Sequence, residues 1–239
     1  MHNILTLEQF LYEGVHDPNI LKAFFMAGGP GSGKSHVAGE LFGFPYGTVQ
    51  SVSYSTGLKM INSDQAFELQ LKNAGINPKD LATMDPEEFQ KITSGPNSLR
   101  GIAKKATITR QNLYEQGKLG MVLDGTGDDF GKIAKKKKRL EDLGYDTYMI
   151  FVNTSLEVAQ YRNENRSRSL PETMVEEIWQ AVQNNLGHFQ REFGSSNIII
   201  IDNSENVNDV FGIIEKEIKK ILARPLKNPI GKKWIADNR

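Results

Sequence analysis

The chain has 239 residues, its 29 Lys and Arg are balanced by 29 Asp and Glu, and it has no cysteine. The balance excludes a global field that would draw the protein onto nucleic acid or a membrane. The missing thiols exclude disulfides, thiolate metal sites and a cysteine nucleophile. The length suits one α/β domain with embellishments. The sequence has no apolar run of membrane-spanning length and no basic-then-apolar leader, so the expectation is a cytoplasmic protein with no membrane partner.

In chain order, Thr6, Leu7, Glu8 and Gln9 have the form of a capping box, opening a short helix over Phe10, Leu11 and Tyr12. Residues 23–27, Ala-Phe-Phe-Met-Ala, form a short apolar run of the kind buried in a parallel sheet. Residues 28–35 then read Gly-Gly-Pro-Gly-Ser-Gly-Lys-Ser, which fits the phosphate-binding pattern G-x-x-x-x-G-K-[ST]. The loop glycines Gly28, Gly29, Gly31 and Gly33, with Ser32, let backbone N–H groups turn toward a phosphate. Lys34 supplies a charge for the β- and γ-phosphates, and Ser35 a hydroxyl for Mg²⁺. The next residues have helical apolar spacing through Val37, Ala38, Leu41 and Phe42, so a helix N-terminus faces the anion. His36, beside Ser35, is either a contact to the nucleotide or a plain first-turn residue. His2, His16 and His188 have no partner at metal-ligand spacing.

Residues 43–58 read as an irregular connection, and four more strand-like runs follow at 59–62, 120–123, 147–152 and 197–201. Strands alternating with helices predict a parallel sheet covered on both faces. Ligands of such sheets sit beyond the carboxyl ends of the strands, which directs attention to Asp64, Asp124, Asn153 and Asp202. Between the second and third strands, residues 65–119 make a long excursion with helices expected at 65–74 and 99–117 and a proline-containing stretch between. The tail after Arg224, with Pro225, Pro229 and Gly231, reads as an extended cover or a free end.

Asp64 closes the second strand, where a carboxylate can orient a hydroxyl and take its proton; the other reading is an N-cap for a helix beginning at Gln65. Asp124 closes the third strand and is placed to support Mg²⁺. It is followed by Gly125, not by the glutamate with which motors activate water, and no Asn-Lys-x-Asp guanine-recognition sequence occurs. Thr126 either reaches the acceptor or phosphates or caps the next turn. A cap at Ser155 starts a helix on which Arg162 and Arg166 lie four apart on one face, and Pro171 opens another over Met174, Val175, Ile178, Trp179 and Val182. Two helices joined by an arginine-bearing turn make a lid whose guanidinium groups stabilise a phosphoryl group in transfer. Arg100, Lys104 and Arg110 on the second helix of the excursion are candidate contacts to an anionic substrate. Lys135 to Arg139, five successive basic residues between inward-facing Ile133 and Leu140, read as a solvated helix face or a phosphate-backbone patch.

The phosphate loop with Ile61-Asn62-x-Asp64 on the next strand, and Arg162-Asn163-x-x-Arg166-x-x-x-x-Pro171 after the fourth, resembles the P-loop kinases grouped around polynucleotide 5′-hydroxyl kinases and zeta toxins, over residues 23–203. The resemblance implies a three-layer α/β P-loop NTPase fold: a five-stranded parallel sheet in the order 2-3-1-4-5, helices on both faces and a helical lid. Together with the residues outside that span, the reading is a single domain over 1–239, with a helical extension at 1–20, a substrate-binding excursion at 65–119, lid helices at 155–192 and a tail at 225–239. The resemblance implies ATP and Mg²⁺ as cofactors, with Lys34 and Ser35 as their ligands. Asp64 becomes the general base, and Arg162 and Arg166 the lid arginines. The implied activity is phosphorylation of a hydroxyl on a nucleotide-like acceptor: a UDP-sugar or a nucleic-acid hydroxyl, including a 5′ end or a hydroxymethylated base. Polynucleotide kinases carry an arginine three residues beyond the base to hold a substrate phosphate, and here that position is Phe67. An ATP-hydrolysing switch or motor and a non-catalytic nucleotide-binding regulator are the readings from other classes.

Overall fold

A computed structural model describes residues 15–44, 52–53, 55–165, 169–205 and 208–238. The expected N-terminal helix over Phe10 to Tyr12 and the lid residue Arg166 lie outside the described residues. Five strands, β1 (Lys22–Ala27), β2 (Lys59–Ile61), β3 (Met121–Asp124), β4 (Asp146–Asn153) and β5 (Ile198–Asp202), pair in parallel in the order β2-β3-β1-β4-β5. Each coincides with one of the apolar runs to within a residue or two, because only short, nearly continuous apolar segments suit a sheet buried on both faces.

Alternation along β1 divides the core. Phe24 and Met26 point to a layer that holds α1 (Lys34–Phe42) and α8 (Asn208–Ala223) through Val37, Leu41, Phe42, Ile214, Ile218 and Ile221. Ala23, Phe25 and Ala27 point to the other layer, where Leu140 of α5 (Phe130–Asp142) and Val182, Phe189 and Phe193 of α7 (Glu172–Phe193) close over Met149 and Phe151. Each fully buried side chain of this size stabilises the fold by roughly 1.5–3 kcal/mol.

The excursion is richer than expected. Helix α2 (Ser63–Asn73) is followed by a 3-10 turn (Pro78–Ala82), a helix α3 (Pro86–Thr93) and then α4 (Leu99–Gln116). The extra helix has a local cause: the Asp85 carboxylate accepts the Glu87 and Glu88 N–H groups, and Pro86 sits at the first helical position. These helices pack on one another around Phe67, Leu71, Leu81, Ile92 and Ala103, a small core of their own.

The tail is neither extended nor free. Residues Pro229–Asn238 form α9, started by the Asn228 carboxamide, which accepts the Ile230 N–H. Trp234 and Ile235 of α9 pack on the β1–β4 face, and Gly231 meets Gly144 just before β4. The helix therefore sits at the start of the strands, across the sheet from the phosphate loop. Between β3 and β4, α5 carries the basic run, whose Lys135, Lys138 and Arg139 are exposed, as a solvated helix face predicts, while Lys136 and Lys137 are half-buried. Lys137 pairs with Glu141 and Glu192, Lys138 with Asp142, and Arg139 with the buried Glu115, while burial pushes the Lys136 ammonium below the ordinary lysine value. No helix among the described residues is long and apolar enough to cross a membrane.

Candidate active site

The central strand β1 ends at Ala27, and the loop turns back into α1 through Gly31 and Gly33, at φ 74° and 87°. Left-handed backbone of this kind favours glycine, and space demands it as well. A Cβ on Gly31 would strike the Ala159 carbonyl of α6 (Leu156–Glu164), and one on Gly33 would strike the Asn203 amide. Gly33 caps α1 without a side-chain hydrogen bond, so the helix presents its first-turn N–H groups to whatever occupies the loop. Lys34 Nζ arches over the loop and donates to Gly28 O at 2.5 Å and Gly29 O at 3.3 Å. Ser32 Oγ is buried with no hydrogen-bond partner among the described residues. A glycine-lined concavity with a lysine across it and an orphaned hydroxyl inside it fits a polyphosphate. Ser35 is exposed, and so is His36, whose ring meets the Phe211 ring edge-on at 5.4 Å.

The acidic residues share the same rim. The Gly28 N–H donates to Thr126 O at 2.8 Å and the Gly125 N–H to Met26 O at 3.2 Å, which fixes the segment after β3 beside the loop. Asn62, just after β2, joins the start of α2 to Asp124 at the end of β3. Its Oδ1 accepts the Asp64 N–H at 2.7 Å, and its Nδ2 donates to Asp124 Oδ2 at 2.7 Å. Asn62, not Asp64, is therefore the N-cap of α2, which begins at Ser63. Asp64 is left in the first helical turn with its side chain 46% exposed. Its Oδ1 accepts from Arg100 Nη1 at 2.5 Å. Thr126 is exposed and bonds Asp128. Lys104, exposed, lies one turn beyond Arg100 on α4. Arg110 is ten residues along that helix, about 15 Å away.

Over the loop lie α6 and α7. Ser155 Oγ accepts the Val158 N–H at 3.3 Å, capping α6, and Pro171 precedes α7. Arg162 Nη1 donates to Asn203 O at 2.9 Å, and Asn203 Nδ2 donates to Ser32 O at 2.7 Å. One buried residue beyond β5 thus links the phosphate loop to the α6 arginine. Helix α7 is anchored to the strand ends: Trp179 Nε1 donates to Thr154 O, Gln183 Nε2 to Asn153 Oδ1, and Asn185 Nδ2 to Gly127 O and Asp128 O. Its backbone crosses Gly29 at Trp179.

Sequence reasoning missed Asn62 and Asn203. The motif carrying Asn62 was in view, but nothing local shows its amide reaching Asp124. Asn203 stands one place beyond Asp202, whose own carboxylate closes a local turn onto Ser204.

A parallel sheet in the order β2-β3-β1-β4-β5, with helices on both faces and a glycine loop after its central strand, is the three-layer P-loop NTPase fold. Among solved structures, the chain is similar to a candidate kinase from Chloroflexus aurantiacus, at 10% identity and a TM-score of 0.52, covering 83% of this chain and 98% of the other. It is also similar to a chain of the PezAT chromosomal toxin–antitoxin system of Streptococcus pneumoniae, at 16% identity and a TM-score of 0.51, covering 96% and 92%. At these identities the likeness is one of fold. No protein-family model matches the chain, and no curated protein matches its sequence.

Proposed function

We propose that the protein is an ATP-dependent kinase that transfers the γ-phosphate to a hydroxyl of a nucleotide-like acceptor. The observation that carries this reading is the bridge made by Asn62, which holds Asp64 and Asp124 on one rim beside a polyphosphate-shaped loop. A hydrolase needs only a site for water. Here Asp64 is borne on a separate helical module, beside Asn62 and Arg100, which suits transfer to a bulky acceptor.

Residues 28–35 hold the phosphates, with Lys34 turning from the loop carbonyls to the β- and γ-oxygens. Ser35, with Asp124 behind it, would hold Mg²⁺, which would supply positive charge to the phosphates when bound. Arg162, fixed through Asn203, is the α6 group assigned to the charge of the transferred phosphoryl group. Asp64 accepts the hydroxyl proton as the acceptor oxygen bonds to the γ-phosphorus and the bond to the β-bridging oxygen breaks.

Transfer of ³²P from γ-labelled ATP into panels of UDP-sugars, nucleosides, DNA and RNA tests the reading, with Asp64→Asn as control. Labelled acceptor that disappears with Asp64→Asn is the expected result. Free phosphate alone, undiminished by that change, makes the protein an ATP-hydrolysing switch. Tight nucleotide binding without turnover makes it a regulator.

A further inference from the structure

Arg100 opens α4 and carries its guanidinium over the ring of Phe67, 5.0 Å from the centroid. Phe67 is 2% exposed and belongs to the small core that binds α2, α3 and α4 together. The arginine head therefore rests on a buried apolar shelf, and its side chain is 24% exposed. A guanidinium presents five N–H donors in a planar fork. Among the described residues it meets Asp64 with one nitrogen, Nη1, on one oxygen, Oδ1. This end-on pair leaves the rest of the fork facing solvent, beside the carboxylate assigned to the acceptor hydroxyl. Lys104 adds a second cation one turn along the same helix face.

The pair has a consequence for the reaction. While Arg100 holds Oδ1, that oxygen is engaged by a cation instead of facing a hydroxyl. A neutral acceptor offers the guanidinium nothing in exchange. An oxyanion does, because phosphate and carboxylate match the fork with two parallel bonds. An acceptor that carries such a group near its reacting hydroxyl would draw Arg100 off Asp64. The same contact would set the hydroxyl against the freed carboxylate.

We propose that Arg100, seated on Phe67, is the anion-binding group of the acceptor site, and that the acceptor carries a phosphate or carboxylate close to the hydroxyl that is phosphorylated. This rests on the kinase reading of the same site. It places the recognition of charge on the excursion helix, 36 residues from Asp64 in sequence.

The test uses acceptor pairs that differ by one charged group: uridine against uridine 3′-monophosphate, and glycerol against glycerate. Binding to the full chain with ADP and Mg²⁺ is followed by titration calorimetry, and transfer by ³²P from labelled ATP. The wild type should bind one charged member about tenfold or more tightly than its neutral partner. Which pair shows it tells phosphate from carboxylate. Arg100→Gln should reduce the preference to about threefold or less, and Arg100→Lys, which keeps charge without the fork, should fall between. Equal binding within both pairs by the wild type overturns the proposal without recourse to any variant. So does a preference that survives Arg100→Gln in a protein of unchanged melting temperature. Charge preference in binding with no labelled acceptor would sink the kinase reading and leave the anion site standing. Equal transfer to charged and neutral members would do the reverse.

Discussion

At the amino-terminal rim of the sheet, Lys22, Lys59 and Asp146 begin β1, β2 and β4, and the chain itself answers each charge. Lys22 Nζ donates to the last carbonyls of α8, Ile221 O and Leu222 O. Lys59 bonds both oxygens of Asp17, and Asp146 accepts the Lys227 and Asn228 N–H groups just before α9. At the opposite rim, Asn62, Asp64, Asp124 and Asn203 are also bonded, but to one another and to the loop, in a network that ends on half-exposed groups and on the orphaned Ser32 hydroxyl. Polar strand ends are a structural seal where a helix or loop covers them. They become a site where glycine keeps the backbone open.

The strongest way to break this contrast is to change one residue at each rim. Asp64→Asn should lower phosphotransfer by about 10²–10⁴-fold, the usual range for a general base, and leave the melting temperature nearly unchanged. Lys59→Met should do the opposite. The Lys59 and Asp17 side chains are only 4% and 9% exposed, and burial already pushes the Asp17 carboxyl above its ordinary value despite the lysine. Leaving that carboxylate without its cation should cost about 3–5 kcal/mol of stability in urea unfolding, with the activity of the remaining folded protein intact. Equal losses of stability at the two rims would erase the distinction.

A finer test divides the two jobs of Asn62. Asn62→Ala removes the cap of α2, at about 1 kcal/mol, together with the donor to Asp124. Asn62→Asp keeps the cap and sets a like charge against Asp124, so it should be the slower enzyme of the two. The reverse order would mean that Asn62 serves the fold alone. The smallest effect concerns Lys22, whose ammonium burial pushes below the ordinary value of 10.5. Between the folded and unfolded values the unfolded chain binds more protons, so this group makes stability rise with pH there. The urea midpoint of Lys22→Met, compared with wild type between about pH 8 and about pH 11, should lack that rise.

Much of the frame was legible. The five apolar runs, the glycine loop and the cap at Ser155 are local patterns, and local patterns survive folding when each agrees with its surroundings. Helix α3 was legible as well, since Asp85-Pro86 carries both a cap and a first-turn proline, but the prolines made the stretch read as a break. The tail misled for the same reason: Pro229 starts α9 at a position where proline is tolerated. The basic run was legible as an exposed helix face, but its ion pairs were not. Its partners Glu115 and Glu192 come from α4 and α7, and no window of sequence shows them together.

By itself, the sequence determined that a phosphate-binding loop follows a buried strand, and that a carboxylate closes the neighbouring strand β3. Backbone conformation and side-chain type over a few residues suffice for both. Only the tertiary structure decided that Asn62 ties Asp64 to Asp124, that Asn203 joins the loop to Arg162, and that Arg100 on its Phe67 shelf holds Asp64. Those bonds link residues separated by 62, 41 and 36 positions: parallel pairing brings the strand ends to one rim for the first two, and the packing of α4 on α2 makes the third.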